Sequence, residues 1–274
     1  MKREVIWEDG ETGRKTVGYV FGKGEPSVCV LGAASGSEAQ ALFIAARLVK
    51  KLKELEARGA MVSNHQVLVI PDASGAANGA GRERLEAYPC AVGFSGFSRN
   101  GDFVPHVRVR ENGEASGSLA NLFGMPYVLL TGTAGEESRT AGRDGKDRMF
   151  WLCAGGRLQI EEEPARQAVS AVLRFLTCMG ILRYASHSGY IASMVRETDL
   201  TVVRTDASGI FRPLVRPGQE VRRGDTLAEI LDPLEGETIS RIQSPTDGVM
   251  FFVWGRPLAE EGDRIGAVIR RLHQ

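Results

Sequence analysis

The stretch "SVCVLGAASGSEAQALFIAARLVKKLKELEARG", residues 27–59, joins a short apolar run to a long amphipathic one. The run "SVCVL" predicts a buried strand, because continuous apolar runs of this length are typical of strands covered on both faces. The second part predicts a helix that ends at Gly59 and carries one apolar stripe opposite its lysines and glutamates. That stripe is predicted to consist of Leu42, Ala45, Ala46, Val49, Leu52 and Leu55. A strand followed by a helix is the repeating unit of α/β folds.

The same alternation continues to about residue 185. Three further apolar runs predict strands: "QVLVIP" (66–71), "YVLLT" (127–131) and "MFWLC" (149–153). The segment "EEEPARQAVSAVLRFLTCMG" (161–180) predicts a helix, because it has an acidic first turn, an early proline and a final glycine. The chain from 71 to 118 is rich in glycine and is expected to form a long irregular loop. Together these patterns predict a mostly parallel sheet flanked by helices.

The last third of the chain has a different pattern, with short strands separated by turns. We therefore predict an α/β domain over 1–185 and a β-domain over 186–274. Residues 208–231 and 247–269 form a near-repeat in which a Gly-Asp turn precedes a strand, and two such halves can close a small barrel or sandwich. This part resembles biotinyl and lipoyl carrier domains. Those domains carry their group on a hairpin lysine, and "SPTDGVMF" (244–251) has none. We expect no lipoyl or biotin group.

Composition excludes several classes of protein. The 274 residues contain 34 Lys plus Arg and 34 Asp plus Glu, so the chain has no net charge to attract nucleic acid or an anionic membrane. No segment approaches the roughly 18 uninterrupted apolar residues of a membrane helix, and the N-terminus lacks a signal-peptide pattern. The four cysteines include no C-x-x-C pair, and we interpret Cys29 and Cys153 as small core residues. These features predict a soluble cytoplasmic protein.

The phrase "SGSE", residues 35–38, stands at the predicted strand-to-helix turn. Ser35 and Glu38 have the spacing of a capping box, in which each side chain binds a backbone N–H at the start of a helix. A serine between small residues at such a turn is also the pattern of the nucleophile elbow of serine hydrolases, which requires a histidine base. His106 and His187 are candidates for that base, although no flanking pattern supports either. Both interpretations remain open.

Several phrases occur in an order that resembles the succinylglutamate desuccinylase and aspartoacylase family. They are "GAASGSE", a strand that ends in proline, "LANLFGMPYVLL", "AGGRL", "EEEPARQAVSAVLRFLTCMGIL" and "SGIFRPLVRPGQEVRRGDTL". The resemblance covers nearly the whole chain. It implies a zinc-carboxypeptidase-like fold with an added C-terminal β-domain. It also implies a zinc-dependent hydrolase of C–N bonds that deacylates N-acyl amino acids.

The zinc-binding phrases of that family match this chain poorly. The first phrase of the family runs Gly-x-x-His-Gly-x-Glu, and its His and Glu bind zinc. Here Gly36 and Glu38 fit, whereas Ser35 occupies the histidine position, and serine is not a usual zinc ligand. The resemblance implies His106 as a further ligand. Only Glu38 and His106 are then left, so we expect an incomplete metal site in which zinc is doubtful.

The catalytic phrases differ as well. The glutamate that acts as the family's base should stand just before the glycine run, where this chain has "FWLCAGGR" with Trp151 or Leu152 in its place. Without that base a metal-bound water is not deprotonated. Glu136 and Glu137 lie in a polar segment and could substitute, but nothing in the sequence selects them. The family's Asp-Leu-Asn-Arg phrase is not visible, and three arginines of the region match no motif: Arg82, Arg84 and Arg99.

The segment "VPHVRVR" suggests an anion-binding pocket. In a strand, alternation places His106, Arg108 and Arg110 on one face. Arginines bind carboxylate or phosphate through paired hydrogen bonds, and Arg99 is a further candidate. The competing interpretation, which we favour from the sequence alone, is a solvated face of an edge strand.

We therefore expect a diverged member of the family that binds a small anionic ligand or pairs with an active relative, with its own catalysis lost. One alternative is an active metal-dependent deacylase that uses substitute residues. The other is a serine hydrolase with Ser35 as nucleophile. Self-association, a habit of the family, leads us to expect a homo-oligomer.

Overall fold

The computed structural model describes residues 1–35, 37–76, 79–95, 101–111, 114–132, 149–156, 160–185 and 189–270. Backbone contacts divide the chain into two compact units. The first unit comprises Met1–Gly96 and Pro105–Met194, and the second comprises Phe97–Val104 and Val195–Gln274. The division into folding domains at 185/186 stays a prediction.

The helices and strands follow one another along both units. The helices are α1 (Ala39–Ala57), α2 (Gly79–Glu86), α3 (Glu114–Asn121) and α4 (Glu162–Cys178). The strands up to residue 196 are β1 (Lys2–Glu8), β2 (Lys15–Ala33), β3 (Asn64–Asp72), β4 (Cys90–Ser95), β5 (Gly101–Phe103), β6 (His106–Arg110), β7 (Tyr127–Thr131), β8 (Met149–Cys153) and β9 (Ser193–Arg196). The remaining strands are β10 (Leu200–Arg204), β11 (Gly209–Pro213), β12 (Glu220–Val221), β13 (Thr226–Leu231), β14 (Thr238–Gln243), β15 (Gly248–Trp254), β16 (Leu258–Ala259) and β17 (Arg264–Arg270).

The first unit is built on a mostly parallel sheet with the order β1-β2-β4-β8-β6-β7-β9, in which β3 pairs with β2. Strands β2, β4 and β8 run parallel, β6 and β7 are parallel to each other, and β6 is antiparallel to β8. The α/β class with a mostly parallel sheet is therefore confirmed. β2 bends at Gly24, whose φ of 139° is accessible to glycine. Before the bend, successive residues of β2 pair with β3 residues from Val69 back to Asn64. After the bend they pair with β3 residues from His65 forward to Asp72.

Each strand of the central sheet presents alternate residues to two faces. We call the face that bears Val92, Val107 and Phe150 the helix face, because it packs against α1 and α4 in one buried core. The other face, which bears Leu31 and Trp151, is called the tryptophan face; a second buried cluster lies on it. Among the described helices, none combines the length and apolar character needed to span a membrane.

The predicted helices are present, with one correction. α1 ends before Gly59, which has a φ of 71°, and α4 ends before Gly180, which has a φ of 73°. The predicted apolar stripe of α1 is wrong at Leu42 and Ala46, which are exposed. The helix instead buries Gln40, Ala41, Ile44, Ala45, Leu48, Val49, Leu52 and Leu55. The sequence of α1 also has apolar residues outside this stripe, so its pattern does not single out one buried face. Packing against the sheet decides which residues are buried.

The long irregular loop expected between 71 and 118 is wrong. This segment contains α2, β4, β5, β6 and the first half of α3. All six residues of β4 are buried, and Gly93 in its centre leaves the space that the ring of Trp151 fills on the neighbouring strand. A glycine inside a strand commonly marks such a close approach, which makes the strand hard to recognise from the sequence.

The second unit contains two antiparallel sheets. One has the order β10-β17-β15-β12 with β5 beside β15, and the other has the order β14-β13-β11-β16. The Gly-Asp turns of the near-repeat have matching structures: Asp225 accepts the N–H of Arg222 at 2.8 Å, and Asp263 accepts the N–H of Glu260 at 2.9 Å. Each turn leads into a strand, β13 or β17, as predicted. Closure into a barrel or sandwich stays a prediction.

Candidate functional site

Polar side chains meet at one edge of the central sheet. β2, β4 and β8 run in the same direction and end there, and β6 begins there because it is antiparallel to β8. We call this the carboxyl edge. Ser95 pairs with Cys153, and Cys153 pairs with His106, so a hydroxyl, a thiol and an imidazole form one row across three adjacent strands. All three residues are buried, with 7%, 5% and 3% of their surface exposed.

The alternation predicted for β6 is present. Val107 and Val109 are buried in the core of the helix face, so His106, Arg108 and Arg110 lie on the tryptophan face. The interpretation as an edge strand is wrong, because β6 lies between β8 and β7 and pairs with both. His106 is consequently part of a buried row and is not on a solvated surface.

The two arginines of β6 differ in their distance from the carboxyl edge. Arg108 is half-buried and pairs with Trp151, so it lies two residues from His106 and the carboxyl edge. Arg110 pairs with Thr131 and lies four residues from His106, about 13 Å along the strand. The side chain of Arg110 makes no hydrogen bond or ion pair with the described residues. The structure thus brings Arg108 close to the row and leaves Arg110 far from it.

Cys153 is a buried, protonated thiol. Burial raises the pKa of this thiol above its ordinary value, and the nearby positive charge of Arg108 offsets only part of that effect. The thiol contacts the carbonyl oxygen of Trp151 at a sulfur–oxygen distance of 4.0 Å. All four cysteines are free, and Cys29 and Cys153 are buried as predicted.

The structure separates the two residues that were candidates for the position of the family's glutamate. Leu152 is fully buried in the core of the helix face and cannot reach the row. Trp151 lies on the tryptophan face, two residues before Cys153 and the carboxyl edge. The residue of β8 that stands in the row is Cys153, directly before Ala154 and the glycine run.

Glu38 shapes the turn between β2 and α1. Its Oε2 accepts the backbone N–H of Ala34 at 2.7 Å and that of Ser35 at 3.3 Å. The predicted capping box is only half present. The backbone N–H of Glu38 donates to the carbonyl oxygen of Ser35 and not to its hydroxyl. The Ser35 hydroxyl instead contacts the hydroxyl of Ser37 at 3.0 Å. The helix begins at Ala39, so Glu38 itself is the N-cap residue and Ser35 lies one turn too early.

Ser35 has no histidine partner among the described residues, since its hydroxyl contacts Ser37. A serine nucleophile requires a base within hydrogen-bonding reach. His106, one candidate base, lies in the row on β6. The other, His187, lies outside the described residues. Nothing in the described part of the chain therefore supports Ser35 as a nucleophile.

A buried amide ties the two segments that flank the carboxyl edge. Gln40, in the first turn of α1, donates to the carbonyl oxygen of Glu161 at 3.0 Å and accepts the N–H of Glu161 at 2.9 Å. The carboxylate of Glu161 accepts the N–H of Gly156 at 2.6 Å. A side chain at Gly155 would come within 2.7 Å of the Gln40 amide, and its φ of 80° also favours glycine. These bonds hold the glycine run beside the start of α1.

The described residues do not fit a zinc ion. No group of three or more His, Cys, Asp or Glu among them is arranged to hold a metal. Glu38, one of the two predicted ligands, already accepts two backbone N–H groups, and a catalytic zinc requires three protein ligands. Several residues singled out in the sequence lie outside the described residues: Gly36 of the zinc-binding phrase, Arg99 as a candidate for ligand binding, and Glu136 and Glu137 as candidates for a substitute base.

Sequence reasoning missed Ser95, Gln40 and the position of Cys153. Ser95 ends a strand that the sequence did not predict, and Gln40 is a polar residue on a buried helix face. Cys153 was recognised as buried, but its pairing with His106 depends on strand order. Alternation along "MFWLC" was the available signal, because it places Cys153 on the same face as Trp151.

Comparison with solved structures shows which fold the chain resembles. A succinylglutamate desuccinylase/aspartoacylase from Rhodobacter sphaeroides superposes with a TM-score of 0.74 and 17% sequence identity, covering 99% of this chain and 96% of that one. The chain has the fold of these proteins. An aspartoacylase family protein from Mesorhizobium loti gives a TM-score of 0.72 at 17% identity, covering 98% of this chain and 94% of its own. The ectoine utilization protein EutE (DoeB) from Ruegeria pomeroyi gives 0.74 at 17% identity, covering 97% and 92%.

The resemblance inferred from the sequence is therefore confirmed at the level of the fold. No protein-family model matches the chain, and no curated protein matches its sequence. Identities of 17% over nearly the whole chain mean that the backbone is similar while most side chains differ. Chemistry depends on those side chains and has to be argued from the site itself.

Proposed function

We propose that this chain is a diverged member of the succinylglutamate desuccinylase/aspartoacylase family that binds a small carboxylate-bearing ligand at the carboxyl edge without zinc-dependent hydrolysis. The observation that carries the proposal is the row Ser95–Cys153–His106. Where a base is required beside the glycine run, the row has a thiol that burial keeps protonated. A buried protonated thiol does not take a proton from water.

Arg108 is the residue that we assign to ligand binding. It is half-buried on the same face as the row, and its charge acts on the Cys153 thiol. A guanidinium binds a carboxylate through two parallel hydrogen bonds, and this interaction is strengthened where water is partly excluded. His106 at the edge supplies a second hydrogen-bonding group. Arg110 lies two residues further from the carboxyl edge than Arg108, about 7 Å along the strand.

The proposal includes several further statements about the protein. The fold is zinc-carboxypeptidase-like with a C-terminal β-barrel or sandwich, divided into domains at 185/186. The protein is cytoplasmic and acts as a homo-oligomer or as a partner of an active relative. It does not bind nucleic acid. Similarity in fold to succinylglutamate desuccinylase/aspartoacylase proteins over nearly the whole chain supports the fold. The balance of 34 basic and 34 acidic residues supports the absence of nucleic-acid binding.

Calorimetric titration with N-acetylaspartate and N-succinylglutamate tests the binding function. We expect saturable binding of at least one of them. Arg108→Gln should weaken it about tenfold, because a charge-assisted hydrogen-bond pair is lost. The matched control is Arg110→Gln, two residues along the same face, which should leave affinity within about twofold. Equal losses in both variants would contradict the assignment of the ligand to the carboxyl edge.

Metal content and hydrolysis test the loss of catalysis. We expect protein purified in the presence of zinc to retain substoichiometric metal after dialysis. We also expect no release of acetate or succinate from either compound. One equivalent of zinc together with release of the acyl group would overturn the proposal in favour of a metal-dependent deacylase with substitute residues.

A further inference from the structure

The two edges of the central sheet differ in how they are protected. β1 and β9 are its outermost strands, and each has a single neighbour among the described strands. An unpaired edge exposes backbone N–H and C=O groups that a strand of another molecule can bind. Natural proteins block such edges with charged side chains and bulges.

The edge at β1 is blocked in both ways. A bulge between Val5 and Trp7 shifts the register of β1 against β2. Four of the seven residues of this strand are charged: Lys2, Arg3, Glu4 and Glu8. This edge is therefore a poor template for pairing with another chain.

The edge at β9 is apolar and uncharged over residues 189–194. Three large side chains are exposed there, Tyr190 by 70%, Ile191 by 92% and Met194 by 46%. They lie within five consecutive residues, so their Cα atoms span at most about 14 Å. We call these three side chains the β9 patch.

The first unit fixes the backbone that carries the β9 patch. The N–H of Tyr190 donates to the carbonyl oxygen of Gly124 at 3.1 Å. The N–H of Ala192 donates to Oδ1 of Asn121 at 2.9 Å, and Ala192 packs against the core of the helix face. Because this backbone is already ordered, covering the patch costs little conformational entropy.

The β9 patch is large enough to form the centre of an interface. A large side chain that is fully exposed presents about 150–250 Å², so the three together present roughly 400 Å² at their observed exposures. Exposed apolar patches of this size are often functional. Each partner of a standard interface buries about 800 Å², of which the patch would supply about half.

Building on the homo-oligomer of the proposed function, we propose that the β9 patch binds a second copy of this chain. The β9 strands of the two copies lie antiparallel about a two-fold axis, so each patch covers the other. The chain has no net charge, so two copies do not repel each other. An uncharged patch has no group that would select a charged partner instead.

Sedimentation-velocity ultracentrifugation of the full chain tests the dimer. We expect the parent to sediment as a dimer at a chain concentration of about 20 µM. Ile191→Lys should sediment mainly as a monomer, with a dissociation constant raised at least about tenfold, because the two-fold axis would bury two new charges in the interface. Circular dichroism should show the same fold for this variant, since Ile191 is almost fully exposed.

Val5→Lys is the matched control, because Val5 is an apolar residue of the opposite edge strand and is 53% exposed. It should leave the dimer intact. A monomeric parent, a dimeric Ile191→Lys or an equal loss of the dimer in Val5→Lys would each overturn the proposal.

Ligand titration separates this proposal from the binding function at the carboxyl edge. The Ile191→Lys monomer should bind the acyl amino acid with the affinity of the parent, within about twofold, because the β9 patch contains no residue of the row. A dimeric parent that binds neither compound would refute the binding function and support the dimer surface. A monomeric parent that binds one of them would refute the dimer surface alone.

Discussion

The two faces of the central sheet are built from alternate residues of the same strands, yet they differ in chemistry. On the helix face β8 contributes Phe150 and Leu152 to one apolar core. On the tryptophan face the same strand contributes Trp151 and Cys153, and it meets His106 of β6. Because successive side chains of a strand point to opposite faces of the sheet, one strand can stabilise the fold on one face and present reactive groups on the other.

The largest effect is expected on the helix face. Phe150 is fully buried and packs beside Phe123 and Phe175, whose rings stack at a centroid distance of 4.2 Å. Phe150→Ala should lower the free energy of unfolding by about 4 kcal/mol, because it removes buried surface and leaves a cavity. Urea denaturation monitored by circular dichroism measures this. A loss below about 1 kcal/mol would contradict the assignment of stability to this face.

The junction between α1 and the glycine run should show the next largest effect. Gln40→Leu leaves the backbone N–H and C=O of Glu161 without their partners, and we expect a loss of about 3 kcal/mol in urea denaturation. Gln167 is the matched control, because it is exposed on α4 and bonds only the Glu163 side chain. Gln167→Leu should stay within about 0.5 kcal/mol of the parent protein. Equal losses would mean that the amide of Gln40 does not hold the glycine run.

The tryptophan face should have its own pH dependence. Burial, opposed in part by the charge of Arg84, raises the pKa of Tyr88 to about 12. An unfolded tyrosine ionises near pH 10, so the stability from this neutral phenol is fully present below about pH 10 and is lost as the pH rises through about 12. Between about pH 9 and pH 11.5 the free energy of unfolding should fall about 2 kcal/mol more in the parent than in Tyr88→Phe. An equal fall of the free energy of unfolding with pH in the two proteins would contradict a raised pKa of Tyr88.

The smallest effect is expected at Arg110. This residue lies on the tryptophan face but far from the carboxyl edge, and its side chain makes no hydrogen bond or ion pair with the described residues. Arg110→Gln should change the free energy of unfolding by less than about 0.5 kcal/mol, as measured by urea denaturation. A loss comparable to that of Gln40→Leu would mean that the arginine supports the fold and is not a neutral control.

Much of the fold was predictable from local patterns. The runs at 66–71, 127–131 and 149–153 are strands, and the helix-ending glycines Gly59 and Gly180 have positive φ. β4 was missed because Gly93 interrupts its apolar run, and only the neighbouring ring of Trp151 explains that glycine. The capping box was half wrong because the turn after β2 continues to Glu38 before the helix begins.

By itself, the sequence determined which residues of a strand share a face, because side chains alternate with a period of two wherever a strand forms. It thus placed His106 and Arg108 together and Val107 opposite them. Only the tertiary structure decided that β6 lies between β8 and β7 and runs against β8, which sets Cys153 beside His106. Strand order and register depend on hydrogen bonds between segments far apart in the chain, and no local pattern encodes them.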